Sequence, residues 1–277
     1  MEQTKLQELK RIAANVRLGA LECVYSAASG HPGGALSIAD ILTYLYFAHM
    51  HIDSKNPNWS ERDRFVLSKG HTCPALYAVL AEKGYFPKAD LKTFRQIDSY
   101  LQGHPDMKHT PGVDMTTGSL GLGISAACGM ALSGKIDRKT YRVYSILGDG
   151  EVEEGQVWEA AMFAAHYQLD NLCAFVDVNG LQIDGPTEKV MNSAPLCDKF
   201  RAFGWHTIDI DGHDFEQIAA ALQEAGQTVG QPTMILAKCV KGKGVSFMEN
   251  QVGWHGKAPK QEEYEQAVAE IKAAAGL

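Results

Sequence analysis

An apolar segment, Tyr141–Leu147, runs directly into Gly148-Asp149-Gly150, and a second, Leu172–Val178, ends at Asn179, thirty positions beyond Asp149. Gly155–Gln168 between them has helical apolar spacing. Two strands joined by one helix run parallel, because a hairpin cannot contain the crossover. An acid and an amide are therefore expected at the same edge of two neighbouring strands, the edge where open α/β sheets bind ligands. Hard oxygen donors suit Mg²⁺ holding a diphosphate, and Gly150 lets backbone approach phosphate oxygens. Asp-Gly by itself is a common turn, and Asn179 before Gly180 also suits a turn. Strand placement favours the metal–diphosphate reading of Asp149 and Asn179.

The rest of the chain fits the same architecture. Leu6 to Val24 repeats at helical spacing, so the amino-terminal segment reads as an amphipathic helix and not a signal peptide. Helices are expected at 38–50 and 74–83, a short strand at 64–68, and a glycine turn leading into a buried helix over 118–134. From Tyr141 strand and helix alternate: 141–147, 155–168, 172–178, 194–203, 205–210, 214–225 and 233–240, with a final helix at 261–275. Asp214 and Gln217 form a plausible capping box. The fold class is α/β, a doubly wound, mostly parallel sheet with helices on both faces. With no repeat or linker in 277 residues, one domain over 1–277 is the economical reading. A hydrophobic content of 45% supports a sizeable core, and a formal charge of −7 argues against a nucleic-acid surface. No apolar run is long enough to span a membrane. Six scattered cysteines without C-x-x-C read as reduced core thiols, consistent with a cytoplasmic protein.

The loops hold the chemistry. Ser29-Gly30-His31-Pro32-Gly33-Gly34, Ser68-Lys69-Gly70-His71, Gly103-His104-Pro105-Asp106 and Lys241-Gly242-Lys243-Gly244 running on to Trp254-His255-Gly256 each place a histidine beside glycine, and Thr116-Thr117-Gly118-Ser119-Leu120-Gly121 is a fifth polar, glycine-rich loop. One such pair means little; four between regular elements suggest binding groups carried on a scaffold. Glu151 and Glu153, at a helix start, read as charges complementing the helix dipole. There is no P-loop, no strand-borne nicotinamide fingerprint and no H-E-x-x-H. His49 and His51 look like ordinary residues at a helix end, and Gly212-His213-Asp214 like a loop entering a helix cap.

In their order, S-G-H-P-G-G, S-K-G-H, G-H-P, T-T-G-S-L-G, G-D-G-E-V-E-E-G-Q, D-V-N-G-L-Q-I-D-G and W-H-G-K-A-P resemble the thiamine-diphosphate-binding (PP) half of transketolase, from about residue 5 to about residue 260. The resemblance implies that Asp149, the Asn179 side chain and the Leu181 carbonyl ligate Mg²⁺ (or Ca²⁺), and that Gly150 contacts the diphosphate. It implies that Gly118, Ser119 and Leu120 line the cofactor. His71 and His255 would hold its phosphate end or the nearby substrate channel, while His31 and His104 would face the reacting carbons. His31, His104, His255 and Glu154 are the implied catalytic set, Glu154 matching the acid that links cofactor sites across a dimer.

Two departures stand out. Ser119 and Leu122 occupy positions where proline and glutamine are common in full-length transketolases. The chain also stops where the pyrimidine-binding (Pyr) domain would begin, so the resemblance is to the N-terminal subunit of a split transketolase. The implied partner is a subunit with the Pyr and C-terminal domains, in an α2β2 assembly acting on sugar phosphates. Three other readings remain open: half of a deoxyxylulose-phosphate-synthase-like or 2-oxo-acid dehydrogenase enzyme, a subunit dedicated to an unusual catabolic sugar phosphate, and a non-catalytic PP binding module.

Overall fold

The computed structural model describes residues 1–277. In chain order the helices and strands are α1 (Gln3–Ser26), α2 (Pro32–Ser37), α3 (Ala39–Tyr44, running on as a π turn, Leu45–His49), β1 (Arg64–Leu67), α4 (Cys73–Lys83), α5 (Leu122–Ile136), β2 (Val143–Gly148), α6 (Gly155–His166) and β3 (Leu172–Val178). A small hairpin, β4 (Leu181–Gln182) and β5 (Gly185–Pro186), follows. Then come α7 (Thr187–Val190), α8 (Leu196–Ala202), β6 (His206–Asp211), α9 (Phe215–Gln227), β7 (Thr233–Lys238) and α10 (Gln261–Ala275).

Five strands form one parallel sheet in the order β1-β2-β3-β7-β6. Parallel strands buried on both faces alternate their side chains between two cores. Tyr144, Ile146, Cys173, Phe175 and Ile235 face the core built with α1, α3, α4 and α9. Val143, Leu147, Leu172, Ala174, Val176 and Met234 face the one built with α5, α6 and α8. A third cluster packs Val245, Met248 and Trp254 against α1 and α10, which ties the long segment after β7 to the body of the fold.

The element types agree with the sequence reading, and three details differ. The helix expected at 38–50 starts earlier, at Pro32, and breaks at Ile38; proline at the first turn and the small, buried Gly33, Gly34 and Ala35 let the histidine loop become helix at once. The helix after the glycine turn is buried on one side only, with Leu122 and Ile136 exposed. Asp214 does cap α9, its carboxylate accepting from the Glu216 and Gln217 amides at 2.8 and 3.2 Å. The Gln217 side chain, however, serves Asp211 N–H and the Asp214 carboxylate, not the Asp214 amide. All six cysteines are free thiols. No helix is long and apolar enough to cross a membrane.

Candidate functional site

Register puts the site where it is. Gly148 pairs with Asp177 and Val178 with Lys238, so β2, β3 and β7 end together. Asp149 follows directly, its amide donating to Asp177 O at 3.2 Å. Its carboxylate accepts from the Gly150 amide at 2.9 Å and from the Gly180 amide, which locks the two strand ends to one another. Asn179 donates through Nδ2 to Asp177 Oδ2 at 3.0 Å, which turns its Oδ1 the other way, where it accepts from Leu181 N–H at 3.1 Å.

These groups border a cavity of about 440 Å³ with Gly118, Leu120, Gly150, Glu154, His71 and His255. Asp149, Asn179 and Leu181 all line it. His31 adjoins through ring contacts, 5.1 Å from His71 and 5.4 Å from His255, and the His71 and His255 rings stack at 5.3 Å. His104 and Ser119 lie outside this lining and are exposed. His104 sits over Gly118, where a β-carbon would come within 3.2 Å of the imidazole, a tight contact that the ring would have to shift to accept. A larger cavity of about 1040 Å³ lies beside this one over the ends of β6 and β7 and shares Asp149 and Asn179, but none of the site histidines borders it.

Two lysines that the sequence reading passed over organise the electrostatics. Lys69 donates to Asp177 Oδ2 at 2.5 Å and to Gly34 O at 3.0 Å. Lys241 donates to Leu181 O at 2.8 Å and lies 3.0 Å from His255 Nδ1. Both are buried. Their motifs, S-K-G-H and K-G-K-G, carried the signal, but lysine is so seldom buried that periodicity alone gives no reason to place it inside. Burial, with Lys69 nearby, lowers Lys241 to about 8.

The histidines are held neutral. Burial foremost, then the charges of Arg95, His104 and Lys241, brings His31 down to about 4. Burial, Lys69 and the other two histidines bring His71 to about 2, and burial with Lys241 brings His255 to about 3. His31 Nδ1 is buried without a partner. Burial and the nearby Asp177 carboxylate push Asp149 up to about 6. A cation here would relieve that strain.

The donor set fits a hard divalent cation: a carboxylate, an amide oxygen and a backbone carbonyl on which the Lys241 ammonium already places positive charge. No cluster of three His, Cys, Asp or Glu side chains is present to hold a metal alone.

Glu151 departs from its expected role. It is 2% exposed and accepts from Ser68 Oγ at 2.5 Å and from the Gly121 and Gly148 amides at 3.0 Å each. It is a strut joining three loops of the site, not a solvated charge at a helix end. Glu153 borders the cavity and accepts from Gln182 Nε2 at 3.0 Å.

The sequence matches the family described as "Transketolase, thiamine diphosphate binding domain" over residues 8–277. It is 50% identical over 265 residues to the 6-deoxy-6-sulfo-D-fructose transketolase subunit SqwG of Clostridium sp. (strain MSTE9), covering 96% of both chains. It is 46% identical to mouse transketolase over 98% of its own length, which is 43% of that protein. The structure superposes on transketolase from Campylobacter jejuni with a TM-score of 0.92 at 35% identity, covering all of this chain and 43% of that one.

Proposed function

Because this chain belongs to the transketolase family through its thiamine-diphosphate-binding domain, we propose that it is the N-terminal subunit of a split transketolase, a single PP domain that transfers a two-carbon glycolaldehyde unit from a ketose phosphate to an aldose once joined by a subunit carrying the Pyr and C-terminal domains. The carrying observation is the lining of one cavity by Asp149, Asn179 and Leu181 together with the neutral His71 and His255.

Asp149, Asn179 and the Leu181 carbonyl would hold Mg²⁺ (or Ca²⁺) and through it the diphosphate, and Gly150, Gly118, Leu120 and Ser119 would bind the cofactor. Lys241 supplies positive charge to the phosphates. When bound, thiamine diphosphate supplies the nucleophile and electron sink for breaking and remaking the carbon–carbon bond. The chain's own part is binding, desolvation and proton handling. His71 and His255, uncharged, accept or donate hydrogen bonds without repelling the cation. His31, whose ring packs against those of His71 and His255, would face the reacting carbons, and His104, the most solvent-exposed of the four, would move a proton at the substrate.

The partner reading is supported by exposed apolar side chains on the neighbouring helices α5 and α6. Leu122 at the start of α5, Met162 and Phe163 of α6 and Tyr167 just beyond it are exposed, as is Glu154 before α6. Exposed apolar side chains on adjacent helices suit a subunit interface. The free thiols suit a reducing cytoplasm. The similarity to SqwG over the full length of both chains favours one second reading, a subunit dedicated to an unusual catabolic sugar.

The test is glycolaldehyde transfer with thiamine diphosphate and Mg²⁺, using the purified chain alone and then with extract of its own source. Xylulose 5-phosphate, fructose 6-phosphate and 6-deoxy-6-sulfofructose serve as donors. Silence alone and activity with extract supports the split enzyme, and the preferred donor decides between the two readings. Activity of the chain alone overturns the requirement for a partner.

A further inference from the structure

Lys241 is held by a network that begins far from the cavity. Arg17, on α1, donates through both terminal nitrogens to the Asp40 carboxylate of α3, at 3.1 and 2.5 Å. His213, in the loop after β6, contacts Asp40 Oδ2 through Nδ1 at 2.7 Å. The same imidazole accepts the Val240 N–H at its Nε2, at 2.9 Å. Since Nε2 accepts, the ring proton sits on Nδ1 and is donated to Asp40. Arg17 Nε, in turn, donates to Lys243 O at 3.2 Å. The backbone is thus gripped on both sides of Lys241. Asp40 and Arg17 are 6% and 8% exposed, and none of the three side chains borders the 440 Å³ cavity.

The segment they hold has little freedom to settle elsewhere. Gly242 takes φ +79°, and a β-carbon there would lie 2.4 Å from Met248 O. Its amide donates to Gly33 O at 2.9 Å. A loop this tight places its lysine through its backbone, and the backbone is placed by the buried Arg17 and Asp40 and the half-buried His213.

We infer that Arg17, Asp40 and His213 form a positioning relay that sets the Val240–Lys243 backbone and so aims the Lys241 ammonium at the Leu181 carbonyl and the diphosphate site. The aim toward a diphosphate rests on the function proposed above; the relay itself rests only on the contacts described. His213 is therefore a positioning residue and touches neither cofactor nor substrate.

Two near-isosteric variants separate the relay from mere bulk. H213N keeps a donor toward Asp40 but is too short to reach the Val240 amide. H213Q places an amide oxygen near the position of Nε2 and loses the donor to Asp40. Hydrogen–deuterium exchange of the full-length chain, read on the peptide spanning 239–245, is the first readout. H213N should lower protection there about tenfold, and H213Q, which can still accept from the Val240 amide but is cut off from Asp40, should fall between H213N and wild type. Equal exchange in the two variants, or no change in either, overturns the relay. The second readout is calorimetric titration with thiamine diphosphate and Mg²⁺. H213N should weaken binding roughly five- to tenfold, the worth of about one hydrogen bond, and that loss should vanish in a K241M background. A loss of the same size with and without Lys241 overturns the claim that His213 acts through it. An H213N-specific exchange change, in a chain and assembly that never bind the cofactor, upholds the relay and sinks the diphosphate reading.

Discussion

The Lys69 ammonium lies 2.5 Å from Asp177 Oδ2, and the two side chains are 3% and 0% exposed. Asp177 also accepts from Ser37 and Asn179, so one buried carboxylate joins α2, β3 and the proposed metal-binding amide. Burial would raise this carboxyl; the ammonium beside it outweighs burial and keeps it ionised. Breaking such a pair from one side strands a charge at a cost of about 3–5 kcal/mol, whereas neutralising both sides costs much less. K69M and D177N should each lower urea stability by about that range, and the double variant should recover at least half of the sum. Additive losses in the double-mutant cycle would show the two groups acting independently.

The three clustered histidines give the fold an acid-sensitive term. In the unfolded chain an imidazole takes its proton near 6.5; in the folded one His31 does so at about 4, His71 at about 2 and His255 at about 3. Below 6.5 the unfolded chain binds more protons, so stability is fully present above that pH and falls as acid is added, until the folded values are passed. For the most buried of them, His71, the slope is about 1.4 kcal/mol per pH unit at most. H71Q cannot charge, so its denaturation midpoint should fall less steeply than wild type between about pH 6.5 and pH 5. Parallel curves would remove His71 from the acid response.

Much of this arrangement was legible in the chain. Asp149 and Asn179 stand at strand ends because the apolar runs and the helical pattern around them are local and strong. The insertion of β7 between β3 and β6 was not, because strand order is settled by pairings between segments distant in sequence. Lys69, Lys241 and Glu151 were missed or misread for one reason: charged residues are taken as solvated until a partner is seen, and their partners Asp177, Leu181 O and Ser68 come from other loops. His213 looked like loop filler because Asp40 lies 173 positions away.

Glu151 permits a sharp comparison. E151A leaves the Ser68 hydroxyl and the Gly121 and Gly148 amides without their acceptor, in a buried place, at about 3 kcal/mol or more in total. E151Q keeps one oxygen, placed to serve Ser68 and Gly121, and should lose about half as much. Urea denaturation of both variants decides this. Losses under about 0.5 kcal/mol, typical of surface substitutions, would mean that the strut is dispensable.

Asp149 is the one carboxylate among the three proposed metal donors, so the cation should depend on it most. D149A should abolish Mg²⁺-dependent thiamine diphosphate binding in calorimetry while the fold survives, because removal of a carboxylate raised to about 6 by burial also removes an unfavourable charge. Intact binding with Mg²⁺ would place the metal elsewhere.

His104 sits apart from the neutral cluster, exposed over Gly118, with burial and the Arg95 charge lowering its proton affinity. An imidazole with free access to the substrate side and no fixed ring partner suits proton exchange better than anchoring. Removing a general acid–base group costs about 10²–10⁴-fold in rate. H104A in the assembled enzyme should therefore lower kcat by at least about 10²-fold, with a smaller change in cofactor affinity, since His104 lies outside the 440 Å³ cavity where the diphosphate is proposed to bind. A raised KM at unchanged kcat would assign His104 to ground-state binding of the sugar, and unchanged values of both would remove it from the reaction.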